Sequence, residues 1–184
     1  MKQISPDLQP RRSFLALCAA SAFASIGCQG KRPGAGAMTY RMGERASVGK
    51  LVYIVSEAEW QTALGDPASG GRIPENRFLQ VRLTITNSGG ETLNIPLLAL
   101  YDADGKVTRE SDNGEQVSGW LGLLRQIKPA ETLQGAILFD VKPAAHKLQI
   151  TDSGDPENEV VAYVEIPLDL QPDPVLSEPP AIPK

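Results

Sequence analysis

The stretch from Phe78 to Asn87 constrains the fold most. Leu79, Val81, Leu83 and Ile85 alternate with Gln80, Arg82, Thr84 and Thr86. Side chains repeat every two residues in a strand and every 3.6 in a helix, so this pattern specifies a strand with one buried and one wet face. Asn87-Ser88-Gly89-Gly90 then supplies a turn, because Asn and Gly tolerate the backbone angles of a tight reversal. The alternation returns at Leu133, Gly135, Ile137, Phe139 and Val141, and at Val160, Ala162, Val164 and Ile166 before Pro167. Shorter candidates are Ala46–Val48, Leu51–Glu57, Leu97–Tyr101 with Val107, and Lys147–Ile150. Asp102-Ala103-Asp104-Gly105 predicts a hairpin, since Asp-Gly accepts positive φ. Only Glu57–Leu64 competes as helix, for one or two turns. Seven or eight short strands and no long amphipathic helix predict an all-β protein, an antiparallel β-sandwich.

The sandwich is expected over residues 40–170 of a chain of 184 residues, with other material on both sides. Arg11-Arg12 precede an apolar run from Phe14 to Ile26, too short for a membrane-crossing helix of about 20 residues but suited to a secretory signal. Arg11, Arg12, Phe14 and Leu15 resemble the twin-arginine export signal, although Pro10 and Ala16 depart from it; general secretion is the alternative. Ser25-Ile26-Gly27-Cys28 resembles a lipobox, whose Cys becomes the acylated first residue after cleavage, with Ser25 where Leu is usual. Residues 1–27 are therefore expected to leave as a signal peptide. Residues 28–39 would form the lipidated Cys28 and a flexible tether. A single fatty chain binds membranes marginally, at about 0.8 kcal/mol per buried methylene, whereas the two or three chains of a lipoprotein hold permanently. Gln29 after Cys28 resembles lipoproteins sent to an outer membrane, facing the periplasm where the host has one. Residues 171–184 hold five prolines and read as a disordered tail, with Pro179–Pro183 as a secondary candidate ligand for a proline-binding module.

Charge and cysteine content narrow the function. The chain has 18 basic and 22 acidic residues, which argues against a nucleic-acid partner. Losing Lys2, Asp7, Arg11 and Arg12 with the signal leaves 15 basic and 21 acidic residues, a body that anionic lipid repels. Of the two cysteines, Cys18 leaves with the signal and Cys28 becomes a thioether, so the domain must stand without disulfides. About 130 residues suffice, since a domain of that size buries somewhat over 60% of its unfolded surface.

Several segments carry a family resemblance. Tyr40-Arg41-Met42-Gly43-Glu44 and Val48-Gly49-Lys50-Leu51-Val52-Tyr53-Ile54-Val55 open it. Phe78 to Asn87, Leu100 to Lys106, Ile127-Lys128-Pro129-Ala130-Glu131-Thr132-Leu133-Gln134-Gly135, and Phe139-Asp140-Val141-Lys142-Pro143 through Leu148 continue it. Together they resemble a family of secreted bacterial immunoglobulin-like domains, labelled telokin-like and of unknown function, related to mycobacterial immunoprotective secreted antigens. Ala130 stands where that family usually has Gly. The resemblance implies an immunoglobulin-like fold and an extracytoplasmic location, and it brings no catalytic residues.

Little in the chain supports chemistry, and the reading is of a non-enzyme without cofactor. His146, the only histidine, falls in Pro143-Ala144-Ala145-His146-Lys147 and reads as a solvated loop residue. No Gly-x-Ser-x-Gly nucleophile or phosphate loop is present. Asp102–Gly105 and Asp152–Glu159 are acidic loops open to calcium, yet neither has the EF-hand spacing. Ser118-Gly119-Trp120-Leu121-Gly122-Leu123-Leu124 has no strict alternation. Trp120, Leu121, Leu123 and Leu124 either plug one end of the sandwich or form an exposed loop that docks a partner or dips into lipid. Trp60 and Leu64 are a weaker second candidate. The expected role is that of a lipid-anchored envelope protein presenting its domain to another envelope protein or ligand. A small-ligand or calcium-binding accessory protein of a transport or redox system is the alternative.

Overall fold

The computed structural model describes residues 37–66, 68, 70–152 and 159–169. The export signal, Cys28, most of the tether, the proline-rich tail and the centre of the second acidic loop lie outside the described residues.

Alternating patterns become long strands, and these form two facing sheets. One sheet has the order β2 (Ala46–Val48), β3 (Leu51–Gln61), β4 (Arg77–Asn87) and β9 (Thr132–Val141). The other runs β1 (Thr39–Arg41), β11 (Val161–Ile166), β10 (His146–Thr151), β6 (Ala99–Tyr101) and β7 (Val107–Arg109). A short ladder joins β5 (Leu93–Asn94) to β8 (Gln126–Ile127). The expected sandwich is present, with one departure from antiparallel pairing: β1 lies parallel to β11. The expected hairpin joins β6 to β7, with Asp102 Oδ1 accepting from the Asp104 and Lys106 amides and Gly105 at φ 80°. No helix among the described residues is long and apolar enough to cross a membrane.

The core fills the space between the sheets. Leu79, Val81, Leu83 and Ile85 face Leu148, Ile150, Ala162, Val164 and Ile166, all buried. The Tyr53 hydroxyl donates to the Thr151 carbonyl at 2.7 Å, stitching one sheet to the other, and burial drives this phenol far up. A second cluster lies on the outer face of the four-stranded sheet, where Phe78, Ala136 and Leu138 meet Leu64, Val117 and Trp120. The alternation of β4 predicts a polar outer face, and Phe78 and Leu138 depart from it. Both phases of β9 are buried from Ala136 to Phe139, because the chain after β7 folds across them.

Three expectations are corrected. Glu57–Leu64 is not helical: β3 continues to Gln61, past a register shift between Val55 and Glu57. A bulge of this kind moves the strand by one residue, so the inward phase changes from Leu51, Tyr53 and Val55 to Ala58 and Trp60. Trp60 and Leu64 are accordingly not a docking loop; Trp60 rests on the core and Leu64 is 3% exposed. His146 is not solvated either. It opens β10 in the inward phase of Leu148 and Ile150, 7% exposed, with its ring centroid 6.0 Å from that of Trp60.

Candidate functional site

Four strands of the larger sheet end together, and their ends enclose a groove of about 1140 Å³. The register sets its wall: Arg41 pairs with Glu165, Glu165 with Lys147, and Lys147 with Tyr101, so one row crosses β1, β11, β10 and β6. In each strand the neighbouring residue faces the core, which turns this row outward. Arg41, Glu165 and Lys147 are exposed and make no ion pair among the described residues. The β6–β7 turn adds Asp102 and Asp104, and Met42, Ile166 and Pro167 supply apolar surface. Burial raises the Tyr101 phenol, with a smaller push from Glu159. The groove therefore offers cations, carboxylates and an apolar floor within one concavity.

Nothing in this arrangement assembles a nucleophile and a base. His146 borders the groove, but its Nε2 lies 3.1 Å from the Lys142 carbonyl and therefore donates to it. Its Nδ1 is buried without a partner. Among the described residues, no group of three or more His, Cys, Asp or Glu side chains could hold a metal ion.

Trp120, Leu121, Leu123 and Leu124 lie away from the groove, along the outer edge of β9. Leu121 donates its amide to the Ala136 carbonyl, and Ala136 donates to the Gly119 carbonyl, so residues 119–121 extend the sheet by one short rung. Trp120 joins the outer cluster and Leu121 the main core, while Leu123 is 39% and Leu124 99% exposed. Glycines make this close approach possible. A Cβ on Gly135 would strike the Gly119 carbonyl and Leu121, and one on Gly114 the Trp120 indole.

Sequence reasoning missed a charged pair in the interior. Glu110 and Arg125 meet at 2.5 Å with side chains almost wholly enclosed. Glu110 also accepts from the Leu98 amide at 2.8 Å, and Arg125 Nε donates to the Gly122 carbonyl at 2.6 Å. Arg125 Nη1 is buried without a partner. Burial pushes the Glu110 carboxyl up, against the opposing pull of Arg125 and the Leu98 amide. The pair pins the crossing from β7 to β9 and the start of β8; it is structural.

The architecture has counterparts. A crystal structure of the yjhA protein of Bacillus subtilis is similar at TM-score 0.55 and 12% identity, over 69% of this chain and 98% of that one. A candidate lipoprotein (ycdA) of the same organism is similar at TM-score 0.53 and 17% identity, over 67% of this chain but only 38% of its own length. The secreted protein MPT63 of Mycobacterium tuberculosis is similar at TM-score 0.47 and 18% identity, over 71% of this chain and 99% of that one. No curated protein sequence matches the chain. Residues 40–158, almost the whole sandwich, match the family described as Domain of unknown function (DUF4352), and the chain belongs to that family.

Proposed function

We propose that the protein is a non-enzymatic binding module held outside the cytoplasm by a lipid on Cys28, with the groove at the strand ends as its ligand site. The groove is the observation that carries this reading. It brings Arg41 and Lys147, Asp102 and Asp104, and an apolar floor together in about 1140 Å³. A large apolar concavity with a few convergent polar groups is the usual form of a binding site. Its position supports the same reading. The chain enters β1 at Thr39, beside Tyr163, whereas the groove lies past Arg41 and Glu165 at the other ends of these strands. An anchor preceding Thr39 thus reaches the domain at the end away from the groove and does not obstruct its mouth. The mixed charge favours another envelope protein as the ligand. The volume, just above the usual range of small-molecule sites, has room for a small ligand, which makes an accessory role the second reading.

A photo-crosslinking side chain at exposed Ala103, on the groove wall, tests this in intact cells. It should give a defined adduct that is lost when Arg41→Glu and Lys147→Glu are combined. An adduct pattern identical to that from Ser88, at the opposite end of the domain, would remove the groove from consideration.

A further inference from the structure

The second half of β3 is an open sheet edge. On one side β3 pairs with β4 along its whole length, but on the other β2 covers only Leu51–Tyr53. The Gly43 amide then bonds to the Val55 carbonyl, and among the described residues no backbone group pairs with Glu57–Gln61 on that side. Five residues at about 3.4 Å each give roughly 17 Å of unpaired backbone, the length of an ordinary strand. Ala58 and Trp60 point to the core, and Glu57 and Glu59 therefore share the opposite face, where Arg82 Nε of β4 lies 3.2 Å from Glu57 in an exposed pair and the row keeps a net negative charge at Glu59.

We infer that this edge receives an extended segment of a partner protein, added as a fifth strand, with basic residues at every second position and apolar residues between them. Main-chain bonds to Glu57–Gln61 give such pairing its affinity, and alternate side chains give it specificity. A strand laid here sets one set of its side chains opposite Glu57 and Glu59, where cross-strand cations are favourable, and the other opposite Ala58 and Trp60. The same charges disfavour a second copy of this chain. Antiparallel self-pairing centred on Glu59 places Glu59 against Glu59, and centred on Ala58 places Glu57 against Glu59, and like charges directly opposite are destabilising. The edge also adjoins the groove, because the Trp60 ring packs on His146, which borders it. This inference extends the proposed binding role to a second surface and does not depend on what the groove holds.

Hydrogen exchange of the purified full-length chain tests it, with a short capped peptide alternating Lys and Val as the probe. Exchange at the Glu57–Gln61 amides should slow with this peptide, and neither a Glu/Val peptide nor one with segregated lysines and valines should slow it. Combining Glu57→Lys with Glu59→Lys should weaken the Lys/Val peptide about tenfold and admit the Glu/Val peptide in its place. Protection confined to the groove, no protection at all, or concentration-dependent dimerisation that protects these amides without peptide would each overturn the inference. None of these variants touches Ala103, Arg41 or Lys147, so failure here is separable from failure of the groove.

Discussion

Arg125 and Glu110 face each other where neither reaches water, and that makes the pair asymmetric in its consequences. Losing one partner strands a charge in the interior, whereas replacing both by apolar residues removes the cost of burying them. Glu110→Ala should therefore lower stability by about 3–5 kcal/mol, and Glu110→Leu combined with Arg125→Met should recover most of it in urea unfolding. The pair also shapes the response to pH. The Glu110 carboxyl is raised by burial, so the native state holds this proton more tightly than the unfolded chain. Its stabilising contribution is complete below the ordinary carboxylate range and is lost as pH rises through the raised value. Plots of Tm against pH should show a falling component there that Glu110→Gln lacks. No sequence signal joins Glu110 to Arg125, because each lies in a non-periodic stretch. His146 was different: with Leu148 and Ile150 it completes a period of two, and beginning the strand at Lys147 concealed it.

Among the elements, β4 was legible almost residue by residue because one face packs on the core throughout. The continuation of β3 was hidden by its bulge, which shifts the alternation so that Glu57, Ala58, Glu59 and Trp60 no longer match the phase before them. The consecutive apolar residues Ala136 to Phe139 are the mark of a strand covered on both faces, but the alternation from Leu133 to Val141 reads as half-buried and hides it. That cover is the segment after β7, and its two ends should respond differently to substitution. Trp120 packs on Phe78, Val117 and Leu138 in the outer cluster, so Trp120→Ser should cost about 2 kcal/mol and lower Tm by roughly 5 °C. Leu124 projects into solvent, and Leu124→Ser should stay within about 0.5 kcal/mol of the parent. Thermal melting of both variants by circular dichroism measures the contrast.

For the whole molecule, fold class follows from periodicity, but the groove does not. Its lining comes from residues as far apart as Arg41, Asp102, Lys147 and Glu165, which only the strand register brings side by side. The anchor on Cys28 has a direct check. A fatty-acid analogue fed to the cells should label the parent protein, and Cys28→Ser should abolish the label without changing the melting temperature of the domain; a parent that takes up no label would end the lipoprotein reading. The parallel pairing of β1 with β11 has its own consequence for a domain on a leash. Tension arriving ahead of Thr39 pulls β1 along its axis, and the register from Thr39 to Arg41 takes the load in shear. Its bonds bear the force together and do not peel apart in succession. The load then passes to β11, which β10 flanks on its far side, and so spreads into the body of the sheet.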